Sequence, residues 1–147
     1  MVVEEFIDYI GIQKRYSKRT LHLYSDYVKE LREFISPEGD DEFLGELKPQ
    51  VIRGFISAGL ESGLSSRTVN LKLSAISSFC NYLQRAGKIE ANPVKKVHRP
   101  KSSARIPLFY TENSLANYLS NEVENGNFLS LRDRTMVLLL YTTGIRR

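Results

Sequence analysis

Apolar residues recur every three or four positions through most of the chain, and this spacing commits the chain to helices. The clearest stripe consists of Val69, Leu73, Ile76, Cys80 and Leu83. Such a period places apolar side chains along one face of a helix, whereas a half-buried strand requires strict alternation of apolar and polar residues. No segment shows a convincing strand pattern. The sequence therefore predicts an all-α fold.

Capping and helix-breaking residues divide residues 1–91 into four predicted helices. A serine side chain can accept a hydrogen bond from the free N–H groups of a first turn, and proline is favoured at a first helical position. The polar, acidic stretch from Ser36 to Glu42 is predicted as a loop. The signals, in chain order, are the cap Ser17, the helix-ending Pro37, the first-turn Pro49, the closing Gly59 and Gly63, and the cap Ser65 or Ser66.

The fourth predicted helix carries a polar face opposite its apolar stripe. Arg67, Asn70, Ser74, Ser77 and Asn81 follow one another at helical spacing and are predicted to form one solvent-facing row. Guanidinium, carboxamide and hydroxyl groups are the groups that bind base edges and phosphates in a DNA groove. The row favours DNA recognition, and a plain polar surface on a core helix is the alternative interpretation.

Positive charge is concentrated in one third of the chain. Between Ser62 and Thr111 there are nine Lys or Arg and one acid, Glu90, so this segment carries +8 whereas the remainder carries −4. Such asymmetry indicates a polyanionic partner, and the eight serines of the same segment are small donors suited to phosphate oxygens. The nine basic residues are Arg67, Lys72, Arg85, Lys88, Lys95, Lys96, Arg99, Lys101 and Arg105.

Metal sites, disulfides and membrane spans have little support. Cys80 is the only cysteine, and its position in an apolar stripe predicts a small core residue. His22 and His98 share no metal-ligand spacing. The longest apolar run, Met136 to Tyr141, is far short of the roughly 20 residues that span a bilayer, and the acidic start lacks the basic region of a signal peptide. A cytoplasmic protein with no metal and no membrane association is predicted.

The helical pattern breaks after Gly87. Residues 92–107 contain three prolines and several basic residues, and they predict an extended basic linker. Thr111 with Asn113 or Ser114 opens another helix, and a last apolar helix is predicted to end at Gly144 in a left-handed turn. The predicted division is a helical unit over residues 1–91, a linker over residues 92–110, and the start of a further domain over residues 111–147.

Motifs in both halves of the chain are similar to those of a known family. The block that begins Leu131-Arg132-Asp133 and ends Gly144-Ile145-Arg146 resembles the tyrosine recombinase/phage integrase family, at the motif that places its first catalytic arginine. Four earlier elements match the Xer-like branch of that family in order and spacing. They are Ser65-Ser66-Arg67-Thr68, Asn92-Pro93, Pro100-Lys101 and Ile106-Pro107-Leu108.

The resemblance implies a four-helix SAM-like core-binding domain, a basic linker and the first helices of a truncated catalytic domain. It also implies strand cleavage by a tyrosine through a 3′-phosphotyrosyl intermediate, with no cofactor. Double-stranded DNA and other recombinase protomers in a tetrameric synapse are the implied partners. Arg146 matches the catalytic position, where a planar guanidinium can contact two phosphate oxygens. The family's other catalytic residues are expected beyond Arg147, so this chain alone is expected to be inactive.

The candidate DNA contacts combine two helix openings with the basic linker. A stand-alone helical DNA-binding regulator is the alternative function, and in it changes at Arg67 and Asn70 would relax sequence preference. A protein-interaction module would leave the +8 segment unexplained. The candidate contacts are Lys18, Arg19, Ser65, Ser66, Arg67, Thr68, Asn70, Lys72, Ser74, Lys95, Lys96, Arg99, Lys101 and Arg105.

Overall fold

The computed structural model describes residues 1–102, 108–120 and 128–145, and within these ranges every regular element is helical. The all-α prediction is confirmed. The chain divides into two compact units, Met1–Ser103 and Ala104–Arg147. Among the described residues, no helix has the length and apolar character needed to cross a membrane.

The first unit contains five α-helices and a short 3₁₀ helix. The predicted caps are present, because Ser17 Oγ accepts a hydrogen bond from the Thr20 N–H at 3.3 Å and Ser65 Oγ accepts one from the Thr68 N–H at 3.2 Å. Pro49 lies in the first turn of its helix, as predicted. The elements are α1 (Val2–Ile12), α2 (Lys18–Ile35), α3 (Asp40–Gly45), α4 (Pro49–Glu61), α5 (Ser66–Arg85) and the 3₁₀ helix (Pro93–Lys96).

Helix α3 corrects the prediction of a loop from Ser36 to Glu42. Its first turn holds Asp40, Asp41 and Glu42, whose carboxylates are favoured near the positive end of a helix. Phe43 in the same helix is fully buried. A helix this short offers too few positions for a period to be recognised, so its acidic first turn resembles a polar loop in the sequence.

The core forms around α5, whose predicted stripe is buried at all five positions. Phe79 of the same helix packs edge-on against Phe6 of α1, with ring centroids 5.3 Å apart, and stacks on Phe43 of α3 at 6.0 Å. Cys80 is buried among these residues, and burial raises the pKa of its thiol to about 12. It is therefore the small apolar core residue that its position predicted.

One carboxylate joins three helices at the edge of this core. Asp40 Oδ2 accepts a hydrogen bond from the Val2 N–H of α1 at 3.0 Å, and its Oδ1 accepts one from Arg32 Nη1 of α2. The hydrogen bond from Arg32, and then that from Val2, lowers the pKa of Asp40 below its usual range. Asp40 therefore fixes α3 against both α1 and α2.

The start of the predicted linker is folded, which corrects the expectation that residues 92–107 are extended from their first residue. Asn92 is only 3% exposed, and Pro93 and Val94 are buried. Asn92 Nδ2 donates to Ser77 O, Ser77 Oγ and Asn81 Oδ1 of α5, while its Oδ1 accepts from the Val94 N–H. The prolines favoured the prediction of an extended chain, but proline suits the first turn of a 3₁₀ helix equally well.

The second unit contains α6 (Glu112–Ser120) and α7 (Phe128–Thr143) within the described ranges. Thr111 Oγ1 caps α6 by accepting a hydrogen bond from the Ser114 N–H at 3.2 Å. Gly144 follows α7 with a φ of 64°, which is the left-handed turn predicted for it. Neither helix has a buried residue among those described.

Replacing Asp40 by asparagine should lower the free energy of unfolding near pH 7 by about 1 kcal/mol. The neutral amide cannot form the charge-assisted hydrogen bond that the carboxylate accepts from Arg32, and the site is partly exposed. A lowered pKa stabilises the fold above the unfolded pKa, about 3.9, and this stabilisation is lost as the pH falls through the folded value. Urea unfolding of both proteins across this range should show the difference shrink in acid. Asp41→Asn is the control. A stability difference between Asp40→Asn and the unchanged protein that does not vary with pH would contradict the role assigned to the Asp40 carboxylate.

Asn92→Ala should lower the free energy of unfolding by about 2–4 kcal/mol, because it leaves buried groups that Asn92 pairs, including the Val94 N–H, without partners. Chemical denaturation monitored by circular dichroism measures this change. Asn81→Ala, which removes one of the four bonds, should cost clearly less. Equal costs for the two variants would mean that the amide network does not anchor the 3₁₀ helix.

Candidate nucleic-acid interface

A continuous segment, residues 92–101, lies along the polar face of α5, and we call it the strap. Its contacts on α5 move steadily towards the start of that helix. Asn92 binds Ser77 and Asn81, Arg99 Nη1 donates to Ser74 Oγ at 3.0 Å, and the Pro100 carbonyl accepts from Asn70 Nδ2 at 2.8 Å. The strap is therefore antiparallel to α5.

The strap corrects the prediction of a solvent-facing row on α5. Asn70, Ser74, Ser77 and Asn81 all hydrogen-bond with strap residues, and each is only partly exposed. Arg67 is the one member of the row that is exposed. Helical spacing shows which face of a helix is polar, but it does not show that a later segment covers that face.

Helices α2 and α5 begin with closely similar sequences. Both openings place a capping serine first, an arginine third and a threonine fourth, and the sequences are Ser17-Lys18-Arg19-Thr20 and Ser65-Ser66-Arg67-Thr68. In both openings the serine and threonine oxygens lie 2.9 Å apart, so these hydroxyls close the first turn. Lys18, Arg19 and Arg67 are exposed beside those turns. Free N–H groups and basic side chains together attract anions.

Three lysines of the strap are unpaired. Lys95, Lys96 and Lys101 are exposed, and within the described part of the chain no acid lies within ion-pair distance of them. Arg99 is also exposed, although one of its nitrogens is bonded to Ser74. These side chains, like Lys18, Arg19 and Arg67, are predicted contacts that the structure leaves exposed.

Lys72 differs from the other predicted contacts because its charge is used inside the fold. Its side chain is 12% exposed, its ammonium pairs with Glu30 of α2, and it lies 5.8 and 5.9 Å from the ring centroids of Tyr27 and Phe55. Such a cation is held by a carboxylate and two aromatic faces. Lys72 is left out of the interface considered below.

Two further basic residues of the +8 segment, one at the end of α5 and one just after it, bond to α1. Lys88 Nζ bonds Glu5 Oε2 at 2.7 Å, which lowers the pKa of Glu5 and raises that of Lys88. Arg85 Nη1 donates to the Tyr9 hydroxyl at 2.9 Å. Counting charges in the sequence overstates the free positive surface, since these partners lie far away along the chain.

Two predicted residues cannot be placed. Arg105 and Arg146 lie outside the described residues. Conversely, sequence reasoning did not identify Asn92 as the anchor of the strap. The signal available was the Asn-Pro pair itself, because asparagine is a favoured cap and proline a favoured first residue of a helical turn.

Comparison with known proteins gives a consistent result. Residues 3–87 match the family model described as phage integrase, N-terminal SAM-like domain. The tyrosine recombinase XerC of Bacillus subtilis (strain 168) is 37% identical over 144 residues, which are 98% of this chain and 47% of that protein. The XerC proteins of Bacillus pumilus and Thermodesulfovibrio yellowstonii are 34% and 33% identical, over 99% and 98% of this chain and 47% and 46% of their own lengths.

The chain spans about half the length of these curated relatives. The family match lies wholly within the first compact unit, which carries α5 and most of the exposed basic residues described above. The chain therefore belongs to the phage integrase, or tyrosine recombinase, family, and its first unit contains the N-terminal SAM-like domain of that family.

Proposed function

We propose that the first unit binds duplex DNA, mainly through phosphates, as the core-binding part of a site-specific tyrosine recombinase. The observation that carries the proposal is a set of exposed strap lysines, Lys95, Lys96 and Lys101, which have no ion-pair partner among the described residues. They lie on the same unit as the basic openings of α2 and α5. Phosphate contacts supply most non-specific affinity for DNA and fix a protein on the duplex.

The direction of the strap supports a shared footprint with the start of α5. Asn70, which holds Pro100, lies one helical turn after Arg67, and Lys101 follows Pro100 directly. Lys101 and Arg67 are therefore near the same end of α5. Two cations beside the free N–H groups of a first turn favour an anion there.

Phosphate contact is favoured over base reading at this face. Of the two residues expected to set sequence preference in a regulator, Asn70 is engaged by the strap, as is its neighbour Ser74, whereas Arg67 is exposed. The exposed cations of the strap are mostly lysines, whose ammonium groups bind phosphates as point charges. This occupancy favours the recombinase domain over a stand-alone regulator that reads bases with the polar row of α5.

For the whole recombinase, we propose metal-free cutting and rejoining of DNA in the cytoplasm through a 3′-phosphotyrosyl intermediate, within an assembly of protomers on DNA. Arg146 is proposed to stabilise the charge that develops on the phosphate oxygens. A guanidinium suits this position because it stays charged at cellular pH and can bond two oxygens at once. The family membership and the Gly144-Ile145-Arg146 motif support this role.

Binding to a random duplex of about 30 base pairs should weaken steeply as salt increases, because cations on the protein release counterions from DNA. Replacing Lys95 and Lys96 by alanine should make the logarithmic salt slope shallower by about 0.9 for each phosphate that the protein no longer neutralises. Fluorescence anisotropy across a salt series measures both effects. Arg53→Ala, at an exposed position on α4 outside the predicted footprint, is the control for the loss of a positive charge elsewhere on the unit. Absence of binding at low salt would refute the proposal.

The substitutions Lys72→Met and Lys96→Met should have opposite consequences, although each removes one positive charge. Lys72→Met should lower the melting temperature and leave the salt slope unchanged, because its ammonium pairs with Glu30. Lys96→Met should reduce the slope by about 0.9 with little change in melting. Melting curves and anisotropy on the same preparations measure the two effects. A shallower slope in Lys72→Met would show that Lys72 reaches DNA.

A further inference from the structure

We propose that Asn70 is a positioning residue, which holds the strap so that Lys101 is presented to DNA, and that it does not read a base. This inference rests on the proposed DNA binding of the first unit. It assigns to Asn70 a role different from the one that its place on a polar helix face predicts.

The hydrogen bonds around Asn70 support this role. Its side-chain Nδ2 donates to the Pro100 carbonyl at 2.8 Å, and its own carbonyl accepts from Arg99 Nη1 at 3.4 Å. Ser74 Oγ, which receives the other bond of Arg99, donates back to the Asn70 carbonyl at 2.9 Å. Asn70 thus contacts two consecutive strap residues, immediately before Lys101.

The geometry also argues against base reading by the same amide. An asparagine that recognises adenine uses both its oxygen and its nitrogen. Here Nδ2 is committed to Pro100, and Oδ1 is buried with no hydrogen-bond partner among the described residues. Because Oδ1 is buried, the amide cannot offer both of its atoms to a base edge while the strap is in place.

Lys101 depends on this contact because the strap has few other anchors near it. Val97 is the last strap residue that packs against the core, and Arg99 and Lys101 are both exposed. Proline has no N–H, so its carbonyl is the backbone group through which Pro100 can be fixed. Holding a lysine in place before DNA arrives lowers the ordering cost of its phosphate contact.

The test is a double-mutant cycle on DNA binding by the whole chain. In the unchanged background, Lys101→Ala should make the logarithmic salt slope shallower by about 0.9. In the Asn70→Ala background, Lys101→Ala should change the salt slope by less than half as much, because Lys101 is already free to move away. Additive effects of the two substitutions would overturn the proposal. Asn70→Ser is made in parallel, since it also loses the reach to Pro100.

Duplexes that differ in base composition separate positioning from reading. Asn70→Ala should weaken binding to A·T-rich and G·C-rich duplexes by the same factor. A loss confined to sites that contain adenine would show that the amide reads bases and would overturn the proposal. A chain that binds no DNA would refute the proposed function instead, and the two failures are therefore distinguishable.

Proteolysis tests the role of Asn70 without DNA. Trypsin should cleave after Lys101 several-fold faster in Asn70→Ala than in the unchanged chain, at a temperature where circular dichroism shows both to be folded. Cleavage after Arg99 is blocked by the proline that follows it, so the product at Lys101 reports on this part of the strap. Equal cleavage rates would show that Asn70 does not hold the strap.

Discussion

The burial of one amide side chain determines where the exposed cations of the strap lie. Asn92 is nearly inaccessible, and three of its hydrogen bonds join the strap to α5, while the fourth, from the Val94 N–H, closes the first turn of the 3₁₀ helix. A buried amide is tolerated only when its donors and acceptor are satisfied, and removing one partner is costly. Because Asn92 sets where the strap begins on α5, it also determines where the lysines that follow it are presented.

The basic residues of the +8 segment serve two purposes. Lys72, Lys88 and Arg85 stabilise the unit, since each is bonded to α1 or α2. The lysines of the strap make no such bonds among the described residues and stay exposed. Net charge therefore indicates the class of partner, whereas the pairing of individual cations shows which of them can meet it.

Local sequence patterns were sufficient to predict much of the fold. The stripe from Val69 to Leu83 and the caps Ser17 and Ser65 could be predicted because the spacing of apolar residues and the first-turn hydrogen bonds involve near neighbours in sequence. The contact that covers Asn70 could not be predicted, because it comes from Pro100, and the pairing of Lys72 could not be predicted, because it depends on Glu30. Such long-range contacts decide whether a polar side chain is exposed or already bonded within the fold. The periodicity of a single segment does not reveal them.

The folded unit extends beyond the segment that defines its family. The family match ends at residue 87, yet Asn92 and Val94 are buried, and Val94 belongs to the hydrophobic core. During translation, the core can be completed only after these residues have left the ribosome, so α5 has an uncovered face until then. An expression fragment cut at the end of the family match would lack Pro93 and Val94, so the apolar core atoms that these two residues cover would be open to water.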